Sequence, residues 1–471
     1  MRTRRIALIA MLMLVLAVSG CNKEIVTSEL EPTATLTPTI TNPISEEVED
    51  TPVLPDYSQD ALTKLANSLT EEVLQGEFDQ VHSYLTKELQ AAYSTDVLKQ
   101  AFDDTIKPLG AFIEVDSIVG QETEDTIFMG VTLRYENNGL LITYGFNNSI
   151  QLTTFYLSYK EMGDDKAPSD LYTEVEITVG DINEPLDGLL TMPKGVEKPP
   201  VIILVHGSGQ NDMDETIGAV SNKPFRDLAR GLAKKGIATI RYNKRYYQYA
   251  DNIPEDMTVS DEVLEDVTAA IELAKTHKDL DGNRIYVLGH SLGGMLSPKI
   301  AQDNQEVAGI ISLAGSPRNL EDIIYDQASY FLQFDQESSE DEKKLYLESI
   351  QVNVEQVKNL TDENLTEPIL GLTGYYWKSL SEIDTRSIVR NLEIPMLFLQ
   401  GSADFQVFSQ IDFAMWKELL EGHENVSFIE YDGLNHLFMP TNGATDPSDY
   451  DVKSSVSVQV INDIAEWVQN Q

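Results

Sequence analysis

A chain of 471 residues exceeds one ordinary domain, so two domains joined by linkers are expected. With 77 acidic against 34 basic residues and a formal net charge of −43, its surface repels phosphate backbones, which argues against a nucleic-acid partner. A single cysteine excludes an intrachain disulfide, and six histidines without HExxH-type spacing give no reason to expect a metal or any other cofactor.

The chain begins as an address. Arg2, Arg4 and Arg5 precede an apolar run at 6–18, which is too short for a comfortable membrane span and fits the core of a signal peptide. The run ends in Leu16-Ala-Val-Ser-Gly-Cys21, which resembles a bacterial lipobox. That resemblance implies cleavage after residue 20 and lipid on Cys21. The protein would then be extracytoplasmic and anchored to the bacterial cell membrane, its membrane contact made through that lipid. Residues 21–56 are rich in Thr, Pro, Ser and Glu, have little to bury, and read as a flexible stalk.

A small α+β domain is expected over 57–165. Leu62, Leu65, Leu69 and Val73 repeat at helical spacing, and Val81, Tyr84, Leu85 and Leu89 suggest a second helix. Segments 112–119, 126–135, 140–146 and 150–159 are then rich in β-branched and aromatic residues. Asn137-Asn-Gly139 and Asn147-Asn148 punctuate them as turns, which gives a four-strand meander. Order and position resemble the small domain of unknown function that precedes some bacterial hydrolases. Binding or spacing, and packing against the enzyme domain, are both open as its role.

From 170 to 471 the pattern is β/α alternation. An antiparallel opening pair at 171–179 and 186–192 leads to apolar strands at 201–205, 237–242, 284–288, 307–313 and 395–399, and a last strand at 426–431. Helices fall between them, at 259–276, 292–302 and 411–420 among others, and one closes the chain at 456–467. Such units require a mostly parallel sheet flanked by helices, with ligands beyond the carboxyl ends of the strands. The rhythm breaks over about 317–390, where helical stretches at 320–334 and 342–360 read as a cap insertion. The acidic run at 337–342 reads as a solvated helix start. Tyr375, Tyr376 and Trp377 read as core packing, with pocket lining as the alternative.

The chemistry gathers at the strand ends. Gly289-His-Ser-Leu-Gly293 matches G-x-S-x-G between a strand and a helix, so Ser291 is the candidate nucleophile. Its turn needs small neighbours, and it directs the Leu292 amide to where negative charge develops. A serine hydroxyl needs a base. His82 lies in the small domain and His206 in another loop. His290 adjoins the serine but should point away, and His277 and His423 fall at helix ends. His436 remains, after the last strand. Asp404, in the loop after the strand at 395–399, is the candidate acid, with Asp432 as competitor. His206-Gly-Ser-Gly209 follows the first central strand and should supply a second oxyanion donor, the amide of Ser208 or of Gly209. Asp212, Asp214 and Glu215 read as local loop bonding.

Taken with Arg241-Tyr-Asn-Lys-Arg245 and Leu434-Asn-His-Leu-Phe438, these motifs resemble the α/β-hydrolase superfamily, near its dienelactone-hydrolase-like and prolyl-oligopeptidase-like esterase branch. The resemblance implies an α/β-hydrolase fold and a serine esterase. In it Ser291 attacks an acyl carbonyl of a small-molecule ester, His436 moves the proton and Asp404 orients His436. A cysteine nucleophile of the dienelactone type is excluded, because Ser291 holds that position. Asn243 stands where relatives often have aspartate, which leaves Lys244 and Arg245 without an assigned role. An extracytoplasmic serine peptidase or amidase, or a non-catalytic binding lipoprotein, are the alternative readings.

Overall fold

The structure is a computed structural model that describes residues 57–123, 126–160, 162, 169–336, 338–441 and 446–471. The expected leader, Cys21 and the whole of the stalk lie outside the described residues. Two compact units emerge, one within Cys21–Gly163 and one within Asp164–Gln471.

The first unit opens with α1 (Gln59–Leu74), started by Ser58, whose hydroxyl accepts the Ala61 N–H at 3.3 Å. The helix expected around 81–89 is broken into α2 (Asp79–Tyr84) and α3 (Lys87–Ala92). Leu85 turns extended between them and bridges to Leu152, so a sheet contact interrupts the helical period. A further helix, α4 (Thr95–Ile106), buries only Leu98 and Phe102, too few positions to announce itself by periodicity. The meander is present as β1 (Phe112–Glu122), β2 (Thr126–Tyr135), β3 (Gly139–Asn147) and β4 (Leu152–Lys160), antiparallel in consecutive order. Alternate residues of β2 and β3, such as Met129, Val131, Ile142 and Tyr144, join Leu62, Leu69 and Val73 of α1 in one core. The Tyr144 and Thr70 hydroxyls bond at 2.9 Å within it.

The second unit is built on an eight-stranded sheet. Its strands are β5 (Tyr172–Val179), β6 (Leu186–Pro193), β7 (Val201–Val205), β8 (Ala238–Tyr242), β9 (Ile285–His290), β10 (Val307–Leu313), β13 (Met396–Gly401) and β14 (Val426–Tyr431). A two-residue hairpin, β11 (Pro368–Ile369) and β12 (Leu372–Thr373), stands apart from it. The spatial order is β14-β13-β10-β9-β7-β8-β6-β5, and β6 alone runs against its neighbours.

β7 shows why the central strands are apolar throughout. Val201, Ile203 and Val205 enter one core while Ile202 and Leu204 enter the other. The first core is closed by α7 (Glu265–Thr276) and α8 (Leu292–Asp303), the second by α5 (Pro224–Ala233) and α14 (Val458–Gln469). This is the α/β-hydrolase fold that the sequence led us to expect, a mostly parallel sheet with helices on both faces.

The insertion between β10 and β13 carries α9 (Leu320–Phe331), α10 (Glu340–Lys358), α11 (Gly374–Ser381) and α12 (Thr385–Arg390). The acidic residues Glu340, Asp341 and Glu342 form the first turn of α10, behind a capping box between Ser339 and Glu342. Tyr376 and Trp377 of α11 lie in the first core. Core packing is therefore their place, and each polar tip has a buried partner.

Candidate active site

The strand-to-helix turn between β9 and α8 puts Ser291 at φ 52° and ψ −114°, a conformation that costs a non-glycine residue about 1–3 kcal/mol. Its N–H donates to the Leu313 carbonyl at 2.9 Å, and its own carbonyl accepts from Met295 at 2.9 Å. The turn is too tight for side chains beside it. A Cβ on Gly289 would stand 2.1 Å from the Gly293 oxygen, and one on Gly293 would stand 2.3 Å from the Val205 oxygen. Leu292 opens α8, so its N–H has no acceptor within the helix, at the positive end of the helix dipole.

The loop after β7 lies against this turn, since a Cβ on Gly207 would stand 3.2 Å from the Ser291 Cβ. Gly207 is fixed through both of its polar groups. Its N–H donates to Glu215 Oε1 at 2.8 Å, and its carbonyl accepts from Lys244 Nζ at 2.7 Å. The Asn211 side-chain amide donates to the Ser208 carbonyl at 3.0 Å. Ser208 and Gly209, the candidate donors, thus sit on a loop braced from three directions.

Asp404 and His436 meet, though they come from loops after different strands. The carboxylate has no proton to give, so His436 Nδ1–H donates to Asp404 Oδ2, at 2.8 Å. The same oxygen accepts from Gln400 Nε2 at 2.8 Å, while Oδ1 accepts the Gln406 and Val407 N–H groups at 2.8 and 2.9 Å. Both side chains are buried. Asp432 is exposed and accepts the Ser402 hydroxyl at 3.2 Å instead.

His290 is drawn into a buried cluster with His436 and Glu215. Its ring packs against that of His436 with centroids 4.6 Å apart, and its Nε2–H donates to the His436 carbonyl at 3.0 Å. Its other nitrogen forms an ion pair with Glu215 at 3.0 Å. Burial alone would lower the imidazole's pKa, but the Glu215 carboxylate outweighs it and holds the ring above its ordinary value. Burial likewise works to raise Glu215, and the His290 charge overcomes it, leaving the carboxyl lowered. Glu215 therefore does far more than local loop bonding, and so does Asp214, which pairs with Arg241 at 2.8 Å and Lys223 at 3.2 Å. Asp212 does bond locally, to Thr216. Nothing in the sequence marked Glu215, because its φ of +54° and its inward path are properties of the folded loop.

The remaining histidines take no part in the Asp404–His436 contact. His206 is buried between Phe225 and Tyr242, and burial pushes its pKa down to about 4. The ring of His277 accepts the Asp279 N–H, and His423 bonds the Arg390 carbonyl at the end of α12. His82 approaches the Gln90 carbonyl in the first unit.

Comparison with known proteins bears on the family of the chain. A family model described as alpha/beta hydrolase fold matches residues 200–438. Esterase EstD from Thermotoga maritima is 34% identical over 400 residues, covering 83% of this chain and 91% of EstD. The chain belongs to the α/β-hydrolase family. The stretch shared with EstD is longer than the Asp164–Gln471 unit, so the likeness reaches into the N-terminal unit of this α/β-hydrolase. There, a model described as protein of unknown function (DUF3887) matches residues 66–155. The quorum-quenching protein AidA from Acinetobacter baumannii is 26% identical over 113 residues, 24% of this chain and 34% of AidA. Among solved structures, Est1E from Butyrivibrio proteoclasticus aligns with a TM-score of 0.39 at 17% identity, covering 63% of this chain and 96% of that one.

The departure at Asn243 leaves no gap in this α/β-hydrolase. Asn243 Oδ1 accepts the Met213 N–H at 2.9 Å and so ties β8 to the loop after β7. Arg241, almost fully buried, is matched by Asp214, Glu174 and Thr191, each at 2.8 Å. Arg245 pairs with buried Asp266 and with exposed Glu184 in the same region.

Proposed function

We propose that this α/β-hydrolase cleaves carboxylic esters through a Ser291–His436–Asp404 triad and an acyl-enzyme. The observation that carries this reading is the buried Asp404–His436 contact at 2.8 Å, with the His436 ring beside the residue that precedes Ser291. Asp404 on Nδ1 keeps the proton there and leaves Nε2 as the acceptor. His436 takes the Ser291 proton as Oγ bonds to the acyl carbon. The oxyanion that forms is met by the Leu292 N–H and by Ser208 or Gly209. Collapse expels the alcohol, which carries off the proton from His436. Water repeats the sequence with the acyl-enzyme, releasing the acid and restoring Ser291. The name and 34% identity of EstD support an ester as the substrate.

Turnover of p-nitrophenyl acetate and butyrate tests the reading, alongside labelling by a fluorophosphonate. Ser291→Ala is expected to abolish both. Retained turnover in the purified variant defeats the mechanism, and faster cleavage of peptide amides than of esters would make the protein a peptidase.

We also propose that the protein works outside the cytoplasm, tethered to the membrane by lipid on Cys21. The segment Leu16-Ala-Val-Ser-Gly-Cys21 supports this. A radiolabelled lipid precursor should mark the wild-type chain and not Cys21→Ala, and equal labelling of the two would reject the anchor.

A further inference from the structure

The peptide between Gly207 and Ser208 is held by a buried chain of polar groups that begins in the insertion. Tyr376 of α11 donates its hydroxyl to Glu262 Oε2. Glu262 Oε1 pairs with Lys244 Nζ at 2.8 Å, and Lys244 Nζ donates to the Gly207 carbonyl at 2.7 Å. Tyr376, Glu262 and Lys244 are all buried. Burial, reinforced by the Glu262 charge, pushes the Tyr376 phenol far above its ordinary pKa, so it remains a donor. Burying an ion pair strips water from both ions at a cost, and a neutral pair could tie β8 to the loop without that cost.

The charge acts on a particular bond. In a trans peptide the carbonyl and the following N–H point to opposite sides. With the Gly207 carbonyl turned to Lys244, the Ser208 N–H is turned to the other face of the loop. Among the described residues no acceptor meets it there. Gly207 itself lies against Ser291. A cation on the carbonyl oxygen also draws density from the amide, which strengthens its N–H as a donor.

We propose that Lys244 is a positioning residue that turns and polarises the Ser208 N–H as the second oxyanion donor. Tyr376, through Glu262, holds the ammonium in place, so the insertion contributes to turnover without touching the substrate. This rests on the serine mechanism proposed above, and it selects Ser208 over Gly209.

The test uses the full chain in four forms: wild type, Lys244→Met/Glu262→Gln, Tyr376→Phe and Ser291→Ala. The double variant removes both charges together and leaves no lone buried ion. Its kcat on p-nitrophenyl butyrate should fall about ten- to hundred-fold, a part of what a fully lost donor costs. KM should hold within about two-fold. Affinity for an alkyl trifluoromethyl ketone, whose adduct with Ser291 carries the oxyanion, should fall by the same factor as kcat/KM. Tyr376→Phe keeps the ion pair and should lose about three-fold in kcat with KM held, the ketone following. Wild-type kcat and ketone affinity in the double variant overturn the proposal. So does a loss that appears in KM and leaves kcat and ketone affinity intact. If the double variant does not fold, Tyr376→Phe decides by the same readouts. Turnover surviving in Ser291→Ala would defeat the underlying mechanism, whereas an inert Ser291→Ala beside a fully active double variant would defeat this inference alone.

Discussion

Asp404→Asn isolates the role of the acid, because four donors converge on two oxygens there. Oδ1 accepts the Gln406 and Val407 N–H groups, and Oδ2 accepts Gln400 Nε2 and His436 Nδ1. An amide has one oxygen. Kept on the two backbone donors, it turns its NH2 toward Gln400 and His436, where donor would face donor. His436 answers by moving its proton to Nε2 and accepting at Nδ1, and Nε2 can then no longer take the Ser291 proton. Loss of the correct tautomer costs about ten-thousand-fold in kcat, or roughly 5 kcal/mol at 1.36 kcal/mol per decade. Gln400 Nε2 keeps its bond to the Val407 carbonyl at 3.0 Å, so the loss of its second acceptor costs stability only at the lower end of about 1–3 kcal/mol. The assay is kcat on p-nitrophenyl butyrate, with circular dichroism and urea unfolding to verify the fold. A folded variant whose kcat stays within about ten-fold of wild type refutes the reasoning.

Three further outcomes follow from other parts of the second unit. Asp412 is fully buried and accepts from Arg318, Ser316 and the Phe408 N–H, so Asp412→Ala should cost about 3–5 kcal/mol in urea unfolding. Gly293→Ala places a methyl 2.3 Å from the Val205 oxygen and should lower Tm and kcat together, as differential scanning calorimetry and rate measurements would read. Glu215→Gln should reshape stability against pH. The lowered Glu215 contributes above pH 4.5, and its share is lost as pH falls through its folded pKa. The raised His290 contributes below pH 6.5, and its share is lost as pH rises through its own. The Tm gap between wild type and variant should therefore be widest between about pH 4.5 and 6.5 and should narrow toward alkaline pH. A gap that stays constant into the alkaline range would break the assignment of charge to His290.

The sheet was legible because its strands are buried on both faces, as in β7, where neighbouring residues serve opposite cores. The meeting of Asp404 with His436 could be anticipated from chain order, since each closes a strand on the same side of the sheet. What escaped depends on tertiary paths. Glu215 reaches His290 only because its loop turns inward at a positive φ, and Lys244 reaches Gly207 only because β8 lies beside β7. The bond from His290 to the carbonyl of His436 likewise joins residues 146 positions apart in the chain. In the first unit, α4 shows no apolar stripe because only two of its positions are buried, while Leu85 breaks a regular period in order to reach β4.

The position of β14 has a consequence for biosynthesis. A ribosome delivers the turn that carries Ser291 well before the histidine loop, and β14, which presents that loop, is the outermost strand of its sheet and, among the described residues, pairs with β13 alone. It can add only once β13 is seated. On the proposed mechanism a nascent chain carries the serine without its proton acceptor. Hydrolysis is then withheld from every half-made molecule and begins only when the last strand docks.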